Sequence, residues 1–241
     1  MSVISTAAFD FFADLMKNNN KAWFDKNRKR YDASVQKPMK ALAASLTAPV
    51  TTILPDFSGK AKISRINNDI RFHKNKPPYK EHMWIAFKPE GDFVAEMFTG
   101  ISENGWSAGV GLHGQKKDEI NLWRENLLKH TDLWRAYTNS FNSVDKLQIH
   151  YGDPYKKPLY PDIPEDIYEL VQARGAWMFT NTTRKFSANP ESDVFNAICR
   201  MLPAYMFMTV SSTKLTTALK ALGSDIPAPD KASAKIWKAV Q

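Results

Sequence analysis

Residues 62–80 read KISRINNDIRFHKNKPPYK, and no other stretch gathers so many side chains able to do chemistry. If the segment is extended, side chains alternate. Ile66, Ile70 and Phe72 then face inward, and Arg65, Asn67, Asp69, Arg71 and His73 share the other face. If it is helical, Arg65 and Asp69 are an i, i+4 pair. Either geometry brings Arg65 and Asp69 to one side. Arginine offers a planar fork that suits a carboxylate or a phosphate, and Asp69 can orient it. Pro77 and Pro78 stiffen the chain before Tyr79 and Lys80. The candidate ligand-binding set is therefore Arg65, Asp69, Arg71, Lys76, Tyr79 and Lys80.

Three kinds of function fit these residues. The first is a soluble module that binds a phosphorylated or otherwise anionic ligand, either a phosphorylated small molecule or nucleic acid. The second is an enzyme, a hydrolase or transferase acting on a phosphorylated substrate. Asp69 would then be acid/base, with His73 and His82 as proton-transfer partners, and Arg71 and Lys76 would stabilise developing negative charge. The third is purely structural, with Asp69 pairing Arg65 or Arg71 to hold a sheet against helices and Tyr79 packed nearby. Asp69, His73 and His82 could be imagined around a metal, but their spacing is not diagnostic and no metal site is expected. The sequence names no cofactor. It carries no helix-turn-helix, RNA-recognition or zinc-finger pattern.

Two glycine motifs overlap in GWSAGVGLHG, residues 105–114. Gly105 to Gly109 fits the nucleophile elbow G-x-S-x-G, which needs a strand, a sharp turn at the serine and then a helix. Ser107 is instead followed by a glycine-rich, strand-like run. Gly109 to Gly114 fits G-x-G-x-x-G, but that fingerprint should follow an apolar parallel strand opening a βαβ unit. The preceding ISENGWSA reads as a turn and a short strand. Both patterns are rejected, and the glycines are read as allowing close approach or a bulge.

The charge is concentrated. The formal net charge is +8, yet residues 17–40 alone carry +6 and residues 60–80 another +6, leaving the rest of the chain at −4. Such segments attract phosphates. Whether the two meet in one cleft is left open by the sequence, as is the oligomeric state. Hydrophobic residues make up 43% of the 241 and aromatics 12%, enough for a sizeable core. The single cysteine, Cys199, reads as a small buried residue, and its solitude excludes a several-thiolate zinc site. No leader is recognisable in MSVISTAAFDFFADLM and no apolar run approaches the roughly 20 residues of a membrane span. A cytoplasmic protein is expected.

The elements that must position these residues follow from periodicity. Thr6 can cap a helix with Phe9, Phe12, Leu15 and Met16 on its apolar face. Asn20 can cap a second helix, with Trp23, Phe24, Asn27, Tyr31 and Val35 along one side, which Pro38 interrupts or kinks before Met39, Leu42 and Leu46. From 61 to 113 the period becomes strand-like, with MWIAF, DFVAEMFTGI and WSAGVGLHG separated by turns. Residues 115–141 return to helix, divided near Thr131. LQIHY and AWMFTNT read as strands, Pro164 opens a helix before Gly175, and 191–222 is helical with Pro203 dividing it. The expected fold is a single α+β domain over 1–222, mainly antiparallel sheet packed against N-terminal and C-terminal helices. Residues 223–241 form a loosely attached tail.

The sequence also resembles the DUF2461 family, a family of conserved hypothetical proteins. The resemblance rests on NNNKAWF at 18–24 with Tyr31, on ISRINNDIRFHKNKPPYK at 63–80, and on the strand SAGVGL. It continues more weakly through the Pro-rich loop, ELVQARGAWM and the C-terminal helix, covering most of residues 9–210. Its D-x-R-F-x-x-x-K-x-P-Y-K core falls on Asp69, Arg71, Phe72, Lys76, Pro78, Tyr79 and Lys80. The resemblance implies that SAGVGL is a glycine-rich sheet element. It implies no activity, cofactor or catalytic residue.

Overall fold

A computed structural model describes residues 4–54, 57, 59–71, 75–89, 95–112, 117–141, 146–180 and 182–222. The chain opens with helix α1 (Thr6–Lys17), whose Ala8, Phe9, Phe11, Phe12 and Leu15 are buried. Ser5, rather than Thr6, occupies its N-cap position, without a side-chain cap bond. Helix α2 (Lys21–Tyr31) starts as expected, with Asn20 Oδ1 accepting from the Trp23 N–H at 3.0 Å. A π-helical segment, Asp32–Gln36, leads into α3 (Lys37–Ile53). Pro38 therefore does not break the helix. It lies in the first turn of α3, directly after the widened π turn that accommodates its ring and its missing N–H.

Six strands form one sheet: β1 (Lys62–Ile63), β2 (His82–Phe87), β3 (Ala95–Ser102), β4 (Gly105–Leu112), β5 (Gln148–Tyr151) and β6 (Ala176–Phe179). Their order is β1-β2-β3-β4-β6-β5 and each pairing is antiparallel. Gly105 closes the β3–β4 turn at a φ of 125°, and a Cβ there would collide with the Thr183 backbone. The remaining helices are α4 (Lys117–Lys129), α5 (Thr131–Asn139), α6 (Glu165–Gln172), α7 (Pro190–Arg200), α8 (Leu202–Thr209) and α9 (Ser212–Leu222). The divisions expected at Thr131 and Pro203 are both present. The fold is thus a single α+β domain with an antiparallel sheet and helices segregated from it. No helix among the described residues is long and apolar enough to cross a membrane. The tail 223–241 lies outside the described residues.

The strand period of two decides where the core sits. Met83, Ile85 and Phe87 of β2, Met97, Thr99 and Ile101 of β3, Ala108 and Val110 of β4, and Met178 of β6 are buried on one face. The main helix packing onto the sheet comes from α1, α3, α7 and α8. On the other face Trp84, Phe98, Gly100, Ser107, Trp177 and Phe179 remain half-buried. Cys199 of α7 is buried as expected, which pushes its thiol up to about 12.

Candidate functional site

Only the first residues of the 62–80 stretch belong to the sheet. Lys62 and Ile63 pair with Ala86 and Ile85 of β2. Ser64 then exchanges two bonds with Trp84: its N–H donates to the Trp84 carbonyl at 2.9 Å and its Oγ accepts from the Trp84 N–H at 3.0 Å. The chain next leaves the sheet and closes on itself. The Lys80 N–H donates to the Ile66 carbonyl at 2.7 Å, and the Asn68 N–H to the Pro78 carbonyl at 2.9 Å. Asn68 Nδ2 also donates to the carbonyls of Pro77 and Tyr79. Two prolines cannot donate, so Asn68 takes up acceptors that a sheet partner would have used.

The closed loop is fixed to the α1–α2 connection by one asparagine. Asn19 Nδ2 donates to the Tyr79 carbonyl at 2.9 Å, and its Oδ1 accepts from the Tyr79 N–H at 3.1 Å. A third bond runs from Nδ2 to Glu81 Oε1 at 3.2 Å. The Tyr79 ring stacks on Phe24 of α2, centroids 4.0 Å apart and planes 14° from parallel. The basic segments 17–40 and 60–80 therefore meet, through Asn19, Phe24 and Tyr79.

The sequence candidates separate into groups. Asp69 and Arg71 pair bidentately, Nε to Oδ1 at 3.0 Å and Nη2 to Oδ2 at 2.6 Å. The pair is exposed, with 75% of the Arg71 side chain and 47% of Asp69 accessible. The Arg71 N–H also donates to Asp69 Oδ1, at 3.2 Å. Ile70 between them is 46% exposed rather than inward-facing; only Ile66 of that apolar trio is seen buried, and Phe72 and His73 lie outside the described residues. The extended alternation fails because the loop turns on its own asparagine bonds instead of pairing with β2. Tyr79 is buried at 5% exposure.

Arg65, Lys76 and Lys80 form a second group. Burial, then repulsion from Arg65 and Lys76, holds the Lys80 ammonium below its ordinary value. Its Nζ lies 4.7 Å from the centre of the Trp84 ring. The His82 ring stacks on the Trp84 ring, centroids 5.1 Å apart. One edge of His82 reaches solvent, yet lost hydration and the Lys80 charge lower its pKa, against smaller opposing effects of Glu81 and Glu103. Among the described residues, Arg65, Lys76 and Lys80 have no carboxylate partner.

Sequence reasoning overlooked Asn19, Asn68 and Trp84. The Asn18–Asn20 run was legible as a helix break and cap, but nothing in it points to a partner sixty positions away. The rejection of the nucleophile elbow stands on geometry: Ser107 lies inside β4, paired with Gly100, with no turn at the nucleophile position. Of the second pattern, Gly109–Leu112 lie on β4, antiparallel to both its neighbours rather than parallel, while His113 and Gly114 lie outside the described residues. Gly109 and Gly111 admit side chains instead. A Cβ on Gly109 would fall 2.6 Å from Phe98 Cζ, and one on Gly111 2.7 Å from Trp177 Cδ1. Among the described residues no group of three or more His, Cys, Asp or Glu is placed to hold a metal ion.

No curated protein sequence matches the chain. The family model described as "Conserved hypothetical protein (DUF2461)" matches residues 7–207, a span that includes all of α1 but its first residue, the Asn19 contacts to Tyr79, the basic loop, the whole sheet and most of α8. The chain belongs to the DUF2461 family.

Proposed function

We propose that the protein is a binding module for a phosphorylated or otherwise anionic ligand, held where Arg65, Lys76 and Lys80 converge beside Trp84. One observation carries the reading: Lys80, its ammonium 4.7 Å from the centre of the Trp84 ring and depressed first by burial, has Arg65 and Lys76 close enough to add repulsion, while none of the three has a carboxylate partner among the described residues. Like charges held together cost free energy, and an anion seated among them would return it. Tyr79, stacked on Phe24, keeps the loop backbone in place. The enzymatic alternative, with Asp69 as acid/base, lacks comparable support: both Asp69 oxygens already accept from Arg71.

A thermal-shift screen of the full chain tests the reading. The panel holds inorganic phosphate, nucleotides, sugar phosphates and short oligonucleotides at low and high salt. A ligand at a hundredfold its dissociation constant adds about 2.7 kcal/mol of stability. The expected hit raises the midpoint of the wild type, fades with salt and disappears in Lys80→Met. Equal shifts in wild type and variant would place binding elsewhere.

A further inference from the structure

The cation cluster stands at the margin of an aromatic surface that the sheet register assembles. On the face away from the core, one rung carries Trp84, Gly100 and Ser107, and the next carries Ala86, Phe98, Gly109, Phe179 and Gln148. A third carries Glu96, Gly111, Trp177 and His150. The glycines decide the shape of this surface. Since Gly109 and Gly111 have no Cβ, the Phe98 and Trp177 rings reach across onto β4. Phe179 meets the His150 ring edge-on at 5.0 Å. Trp84, Phe98 and Phe179 all stay half-buried, so ring surface remains for a ligand. Neighbouring strands lie about 4.8 Å apart, which spreads these rings over roughly 15 Å from β2 to β6.

Resting on the anion-site reading above, we propose that this face binds single-stranded nucleic acid, with bases laid on the aromatic rings and backbone phosphates met by Arg65, Lys76 and Lys80. Charge and shape select this occupant together. A sugar phosphate or inorganic anion uses the cations and leaves the rings idle. A duplex hides its base faces and presents only phosphate. An unpaired strand offers a planar π-face and a charge at every nucleotide, which is what rings beside an uncompensated cation cluster complement. The Lys80 ammonium over Trp84 lies where the two kinds of contact join.

The test is fluorescence anisotropy with the full chain and three labelled oligonucleotides of about 12 nucleotides: a dT strand, an abasic strand with the same phosphates, and a duplex. Each stacked base contributes a factor of about 5 to 150 in affinity, so the dT strand is expected to bind at least tenfold tighter than the abasic one. Phe98→Leu and Phe179→Leu should narrow that gap while leaving abasic binding in place, and Lys80→Met should weaken both strands. Equal binding of dT and abasic strands, sensitive to Lys80→Met, would overturn the base platform and leave the anion site standing. Tighter binding of the duplex would also overturn it. Binding of none of the three would sink the platform, and binding of dT unchanged by Lys80→Met would remove the phosphate contacts and sink both readings. The wild-type comparison does not depend on the variants folding.

Discussion

Replacing Asn19 by alanine should destabilise the protein far more than breaking the Asp69–Arg71 ion pair, although only the latter looks structural in the sequence. Asn19→Ala deletes two bonds to the Tyr79 backbone and one to Glu81. The Tyr79 carbonyl keeps Asn68 Nδ2 as a donor, but its N–H loses its acceptor in a part-buried site. Two lost bonds at about 1 kcal/mol each, plus an orphaned donor at about 1–2 kcal/mol, give about 3–4 kcal/mol in all. Asn19→Asp keeps the acceptor for the Tyr79 N–H and loses the donors, so it should fall between. Arg71→Ala and Asp69→Asn should stay near wild type, because an exposed pair stabilises little. Urea unfolding followed by tryptophan fluorescence reads these differences as midpoint shifts at a common slope. A cost for Arg71→Ala equal to that of Asn19→Ala would refute the reasoning and restore the structural view of the pair.

Three other outcomes follow from the same geometry. Gly109→Ala should cost about 1–3 kcal/mol, because its methyl meets the Met178 carbonyl and the Phe98 ring and the backbone cannot give way cheaply. Gly111→Ala meets only the Trp177 ring and should cost less; thermal midpoints of the two variants decide. Arg124 is 1% exposed and donates to the Val171 and Ala173 carbonyls at the end of α6, so Arg124→Lys, which lacks the fork, should lose about 3 kcal/mol in urea unfolding. His82 has a folded-state pKa below its ordinary 6.5, so the unfolded chain takes up the proton more readily. Stability is therefore full above 6.5 and is lost as pH falls through that value to the folded pKa. His82→Gln should lose less stability than wild type between about pH 7.5 and about pH 5.

Much of the architecture was legible because one face of each element is buried. The alternation in MWIAF and in the strands after it places Met83, Ile85 and Met97 inward, and the Asn20 cap and the Pro203 division lie where local chemistry puts them. The basic loop was less legible. Its shape depends on Asn68 bonding across to Pro77 and on Asn19 reaching Tyr79, contacts between side chain and backbone that leave no periodic trace. Ile70 was misjudged for that reason: alternation holds only while a strand has a partner. The grouping of Arg65 with Lys76 and Lys80, and the separation of Asp69 with Arg71, depend on where that loop closes. Trp84, Phe98 and Trp177 read as ordinary strand residues until the register puts glycines opposite them.

Calorimetric titration of the full chain with inorganic pyrophosphate, at low and high salt, tests the anion site most directly. Lys80→Met is compared with Lys129→Met, whose ammonium is paired with Glu125 on α4. The account predicts binding that weakens with salt, falls at least tenfold in Lys80→Met and is unchanged in Lys129→Met. Equal losses in the two variants, or no heat of binding in the wild type, would contradict it.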